Sequence, residues 1–317
     1  MTGNGRYNKR RRKKQRQKDP LLFLLLLLTA LVISALQEKE GGSRQEKVNE
    51  IMNASEELTN LEVHFIDVGQ GDATLIRCEG QAMLIDAGDN SKGTAVQLYL
   101  KKCGVERLDY LIGTHPDADH IGGLDVIITK FDCEKIIMPK LTKDNATYRD
   151  VISAMKYKGY ENTAPEVGRN YQLGSAEFTI IAPNKSYGED YNNSSVGLLL
   201  VHGNNRFLFT GDAKEEAEAD MLANGIDLKA DVLKAGHHGS SSSCSAAFLD
   251  AVQPAYGVIS CGEGNSYGHP HGETLNAFRK RGIQVFRTDE QGSVEVISDG
   301  DTLTWNCAPS ETWKAGN

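Results

Sequence analysis

Six of the eight histidines in this 317-residue chain fall in three short clusters beside glycines: His115 and His120 in THPDADHIGG, His237 and His238 in KAGHHGS, and His269 and His271 in YGHPH. Only His64 and His202 stand apart. In the first cluster His115, Asp117, Asp119 and His120 place two imidazoles and two carboxylates within six positions. Nitrogen and carboxylate oxygen together suit Zn²⁺, Mn²⁺ or Fe, and the oxygen-rich mixture shifts the balance toward harder ions such as Mn²⁺. Positions 115 and 117 share a side if the turn is extended, and Asp119 and His120 follow as a helix starts near Ile121. Gly122 and Gly123 leave space for a close backbone approach. A solvated polar turn is the alternative.

The other candidates also lie where apolar runs end. In FTGDA, Asp212 follows a strand-like segment, and one carboxylate there can bridge two cations; a plain Gly-Asp turn is the competing reading. In LKAGHHGSSSS one histidine can ligate while the other, with nearby N–H groups and hydroxyls, contacts an anionic substrate. Asp67, Asp72 and Asp86, in FIDVGQGDA and LIDAGDN, read either as acceptors that orient ligands or as turn formers.

The elements that must position these residues are short and frequent. EVHFID, ATLIRC and AMLID predict a strand meander, GTAVQLYLKKCG a helix ending at Gly104, DYLIG a buried strand, and NATYRDVISAMKYKG a helix with Gly159 past its end. The second half repeats the rhythm. EFTII, VGLLLV, RFLFT, DVLK, YGVIS, QVFR and SVEVI read as strands, and AKEEAEADMLANG, SAAFLDAV and ETLNAFRKRG as helices. Two β-rich halves with helices outside follow from this order, an α/β protein with its sheets packed together.

Charge divides the chain differently. Residues 1–20 hold nine Lys/Arg against Asp19 alone, which leaves 26 basic and 42 acidic residues, a net of −16, over residues 21–317. The apolar run LLFLLLLLTALVISAL (21–36) follows, about 24 Å as a helix, slightly short of a bilayer core of about 30 Å. It predicts a retained single-pass signal anchor or, alternatively, a signal peptide cleaved near Ser34-Ala35 with secretion of the remainder. Either way the basic run stays cytoplasmic and the rest lies outside. Residues 37–60 read as a polar linker, 61–307 as the folded domain and 308–317 as a tail. The six cysteines form no C-x-x-C pair, so a cysteine zinc knuckle is not indicated, and no pairing is readable.

Taken as an ordered set, FIDVGQGDATLI, LIDAGDN, THPDADHIGG, NNSSVGLLL, FLFTGDA, LKAGHHGS and NSYGHPH resemble the metallo-β-lactamase superfamily, and within it the hydrolase domain of ComEC-type DNA-uptake proteins. The resemblance spans about residues 61–300. It implies an αβ/βα sandwich, here preceded by one N-terminal hydrophobic helix, with a site for two divalent ions (Mn or Zn) between its halves. It further implies metal ligands at His115, Asp117, Asp119, His120, Asp212 and His237. Asp119 would hold an ion near the nucleophile, and His238 or His269 would stabilise a phosphate or protonate the leaving oxygen. Asn193, Ser195 and His271 join Asp67, Asp72 and Asp86 as supporting or substrate-contacting positions. Asp117 stands where most members have a second histidine, and NNSSVGL where a third histidine ligand is expected; the ComEC-like group shares both departures. The expected function is a membrane-anchored extracellular phosphodiesterase or nuclease, linked to DNA-uptake machinery. The alternatives are hydrolysis of a cell-wall phosphodiester, lactone or β-lactam, or a non-catalytic metal-binding module. The acidic balance argues against broad electrostatic capture of nucleic acid.

Overall fold

Alternation along the first three strands sets the architecture. In a computed structural model that describes residues 60–316, β1 (Leu61–Phe65), β2 (Thr74–Cys78) and β3 (Gln81–Ile85) form the expected meander. Val63, Phe65, Ile76 and Met83 point to one side of the sheet, while Leu75 and Leu84 point to the other. Both sides are buried, so both need a partner layer.

The inner side faces a second sheet. The first sheet has eight strands, in the order β15 (Leu303–Trp305), β14 (Val294–Ser298), β1, β2, β3, β4 (Arg107–Ile112), β5 (Asp132–Ile137) and β6 (Asn162–Thr163). The second has seven: β13 (Gln284–Arg287), β12 (Tyr256–Ile259), β11 (Val232–Lys234), β10 (Asn205–Phe209), β9 (Gly197–His202), β8 (Ala176–Ala182) and β7 (Asn170–Leu173). Phe65, Ile76 and Met83 from one sheet meet Phe178, Leu198 and Phe207 from the other in a continuous inter-sheet core. On the outer face of the first sheet lie α1 (Gly93–Lys102), α3 (Leu124–Lys130) and α4 (Ala146–Lys158). The outer face of the second carries α5 (Glu215–Ala223), α6 (Ala246–Val252) and α7 (Gly272–Lys280). This is the expected αβ/βα sandwich.

The strands that carry chemistry run parallel to their neighbours: β3 to β4 and β5, and β10 to β11, β12 and β13. Their carboxyl ends open together, where ligands of open α/β sheets collect. Local signals explain the connections. Asn145 caps α4 by accepting the Tyr148 N–H at 2.8 Å, and Gly159 ends it at φ 73°.

Three details differ from the sequence reading. The helix placed near Ile121 starts earlier, as α2 (Ala118–Ile121), so Asp119 and His120 occupy its first turn. The short strands β6, β7 and β15 were not foreseen, because two to four residues carry too little periodicity. Residues 308–316 dock on the domain: the Ser310 N–H reaches the Val285 carbonyl at 2.7 Å and the Gly316 N–H reaches that of Pro270 at 2.9 Å. All six cysteines are free thiols. The basic run, the apolar segment 21–36 and the linker up to residue 59 lie outside the described residues, among which no helix is long and apolar enough to cross a membrane.

Gly122 has a steric reason. A Cβ there would lie 2.3 Å from the Asn90 nitrogen and 2.4 Å from the Ala118 oxygen, so the β3–α1 loop closes directly on the turn between α2 and α3. Gly122→Ala is expected to cost about 2–3 kcal/mol through backbone displacement. A melting temperature equal to wild type would refute this packing.

Candidate metal centre

The centre is built from rings held at the rear. At the end of β3 the buried Asp86 carboxylate accepts the Thr114 N–H (2.8 Å), the Thr114 hydroxyl (2.6 Å) and His120 Nδ1 (2.8 Å). That single side chain fixes both the end of β4 and an imidazole of α2. Since the Thr114 proton goes to Asp86, its oxygen is free to accept from His115 Nδ1 at 3.1 Å. His238 Nδ1 donates to the Ser260 carbonyl (3.0 Å), and His237 Nδ1 meets Ser242 Oγ (3.0 Å). Each of these four rings is engaged at Nδ1, which turns its Nε2 toward the centre, that of His237 also meeting the Asn192 amide nitrogen at 3.3 Å. His237 and His238 achieve this through consecutive left-handed residues, φ 50° and 54°, an unfavourable backbone for residues bearing side chains.

The Nε2 atoms gather around Asp212. Its Oδ1 lies 3.2 Å from His120 Nε2, and its Oδ2 lies 3.5, 3.6 and 3.9 Å from the Nε2 atoms of His238, His237 and His115. His238 Nε2 is also 3.3 Å from Asp119 Oδ2 and 3.2 Å from His120 Nε2. Asp117 Oδ2 is 3.9 Å from His115 Nε2. Donors about 2.1 Å from one tetrahedral ion stand roughly 3.4 Å apart. The distances among His120, Asp212 and His238, and that from Asp119 to His238, match that spacing, and His115, Asp117 and His237 form a looser set around the same Asp212. Asp212 Oδ1 and His115 Nε2 are buried without a hydrogen-bond partner. Orphaned lone pairs converging in a buried space are what a divalent cation satisfies, so the donors present fit one.

Asp72 also has an oxygen within 4.8 Å of donor atoms of His120, Asp212 and His238. Its oxygens, however, approach the Nδ1 atoms of His238 (3.4 Å) and His120 (4.0 Å), and the buried Lys234 ammonium binds it at 2.8 Å. Asp72 therefore sits behind the rings, on their Nδ1 side. A second donor group, Glu62, His64 and Glu295, differs in kind: the two His64 nitrogens face opposite carboxylates, making an ion-pair bridge rather than a chelate.

Electrostatics separate the rings. Burial pushes the His115 imidazole down to about 4, and burial with the neighbouring His238 and His237 does the same to His269. For His238 the burial that would lower it is overcome by the Asp212 and Asp72 carboxylates, which hold it at about 10; Asp212 and Asp86 likewise raise His120 well above its ordinary value. Against its own burial, Asp212 is held well below the usual carboxylate range by His120 and His238, and Asp119 sits at about 2, chiefly through its contact with His238.

The expected residues divide accordingly. His115, Asp117, Asp119, His120, Asp212 and His237 come together. His238, expected to act on substrate, is 1 % exposed with its Nε2 among the donors. His269 packs its ring 5.4 Å from that of His237. Gln70 accepts the Gly262 N–H with Oε1 and faces His269 Nδ1 with its amide nitrogen at 3.5 Å, so the assigned tautomer carries the His269 proton on Nε2. Ser195 Oγ accepts the Asp212 N–H (3.0 Å) and lies 3.3 Å from His115 Nδ1. Asn193 and His271 accept the N–H groups of Lys214 and Ser241, and Asp67 forms a turn with Gly69. Gly122 and Gly123 serve the adjoining loop rather than the donors. Thr114, Lys234, Ser260, Gln70 and Lys143 were not anticipated; only Lys234, a lysine ending an apolar strand, carried a visible signal.

Because His120 and His238 titrate above an unfolded histidine at roughly 6.5, their contribution to the stability of the cation-free chain is complete below that pH. It is lost as the pH rises toward about 10. At pH 7 a divalent cation is therefore expected to displace protons from these rings. Calorimetric titration with Mn²⁺ in buffers of differing ionisation enthalpy measures that release, and a buffer-independent heat would contradict the arrangement.

A family profile described as "Metallo-beta-lactamase superfamily" matches residues 66–263. The chain is 31% identical over 78% of its length to ComE operon protein 3 of Bacillus subtilis (strain 168), covering 34% of that protein. It is 32% identical over 72% of its length to competence protein ComA of Neisseria gonorrhoeae, covering 31% of it. To recombination protein 2 of Haemophilus influenzae it is 31% identical over 76%, covering 29%. The chain thus spans about a third of the length of these curated relatives. On its profile match, its sandwich and its convergent donors, the chain belongs to the metallo-β-lactamase superfamily, as a hydrolase-type domain related to the ComEC-type competence proteins.

Proposed function

We propose that the protein is a two-cation phosphodiesterase acting on nucleic acid. The observation that carries this reading is the Asp212 carboxylate, with one oxygen toward His120 and the other toward His115, His237 and His238. Asp119, His120 and His238 would hold one divalent ion with Asp212, and His115, Asp117 and His237 the other. When bound, such ions would supply activation of a water and neutralisation of charge on a transferring phosphoryl group. The chain's own residues supply the rest. Asp119, a third exposed at the mouth, accepts a hydrogen bond from the attacking group and orients it. His269 is neutral at pH 7 and donates from Nε2 to an anionic oxygen rather than delivering a full proton. Tyr267, 65 % exposed and stacked on His269 at 5.7 Å, adds an aromatic surface beside the site that suits an unpaired base better than a duplex. Such local contacts fit an acidic domain that lacks broad electrostatic capture.

The basic run and apolar segment that begin the chain support an anchored domain with its cleft outside the cytoplasm, and the competence relatives support a place beside DNA-uptake machinery. Carbonate-resistant membrane association of the full chain, lost when residues 1–36 are deleted, is the expected behaviour; unchanged fractionation would exclude the anchor.

With Mn²⁺ the full chain is expected to hydrolyse bis-p-nitrophenyl phosphate and single-stranded oligonucleotides. Asp119→Ala and Asp212→Ala should each lower turnover by about 10³-fold or more, as loss of a group bearing on the nucleophile does. Wild-type turnover in a folded Asp212→Ala protein would disprove the site. Hydrolysis of the small diester without cleavage of oligonucleotides would move the substrate class away from nucleic acid.

A further inference from the structure

Asp117 is the one expected ligand paired with a lysine. Its Oδ1 meets the Lys143 ammonium at 2.6 Å while its Oδ2 lies 3.9 Å from His115 Nε2. Lys143 is itself fixed: its ammonium sits 4.7 Å from the Tyr191 ring centroid, and the Tyr191 hydroxyl donates to the Thr142 carbonyl at 3.3 Å. The loop after β5 and the loop before β9 thereby converge on one carboxylate. The arrangement parallels the four imidazoles, each engaged at its rear nitrogen with the forward one turned to the centre. An imidazole is a neutral donor, whereas a bare Asp117 would add a negative charge to Asp119 and Asp212.

We propose that Lys143 is a positioning residue for the outer cation: it aims Asp117 Oδ2 inward and offsets its charge, so that the Asp117–Lys143 pair acts as one neutral, oriented donor beside His115 and His237. The inner set has no such dependence. Asp119, His120 and His238 owe their placement to Asp86, Ser260 and Asp72 with Lys234, none of which touches Lys143. This inference rests on the two-cation reading above and makes the two halves separable by a lysine in contact with only one of them.

The test is cation stoichiometry, read apart from turnover. Mn²⁺ binding to the full chain is followed by electron paramagnetic resonance and by metal analysis after equilibrium dialysis, for wild type, Lys143→Met and Lys143→Arg. Wild type is expected to take two equivalents. Lys143→Met should keep the first unchanged and weaken the second about tenfold or more, as loss of an outer partner to a ligand does. Lys143→Arg should restore most of that loss. Asp117→Asn should reproduce the effect, and the double variant should be no worse than Asp117→Asn alone, since both remove one interaction. A second equivalent bound by Lys143→Met as tightly as by wild type, or more tightly, would overturn the proposal, the latter marking Lys143 as a competitor for Asp117. A wild-type chain binding fewer than two equivalents would overturn it together with the two-cation reading. Two equivalents with no phosphodiester turnover would fault the substrate assignment alone.

Discussion

Four carboxylates, Asp72, Asp86, Asp119 and Asp212, meet four imidazoles within a few ångströms at the junction of the two sheets, and three of those carboxylates are almost wholly buried. Removing so much negative charge from water is tolerable only with positive charge and hydrogen bonds arranged around it. Lys234 supplies one positive charge, on Asp72. The imidazoles supply more when protonated, and divalent cations supply it without protons. Much of the local architecture follows from this need.

The demand explains why the donors sit on loops while their restraints come from strands. The apolar sandwich places the carboxyl ends of β3, β4, β10, β11 and β12 side by side. Its core residues, such as Phe65 and Phe207, have no chemistry of their own and act by keeping two independent halves in register. The first half contributes Asp86, Thr114 and the α2 turn, and the second contributes Asp212 and the His237-His238 bend. Asp212 belongs to both donor sets because it lies at the seam.

Restraint is graded across the site. The inner rings are locked by buried partners, Asp86 and the Ser260 carbonyl, while the outer positions depend on half-exposed groups on longer loops, Lys143 and Asn192 among them. The inner set is therefore the more rigid of the two and the outer set the more adjustable.

Short-range spacing and period in the sequence were enough for the clustering of chemistry at strand ends, the sandwich order and the helix boundaries at Asn145 and Gly159. The split of His237 as ligand from His238 as substrate contact came from the resemblance and not from local pattern. Adjacent residues look equivalent in a string, and only the left-handed bend with the Ser260 contact turns the second ring fully inward. Nor did the sequence pattern find Lys143 or Lys234 as partners of aspartates 26 and 162 positions away. Those pairings arise from which loops the packed sheets bring together, a long-range property that local pattern does not carry. Tertiary structure therefore decided which aspartate faces the centre and which steadies it from behind.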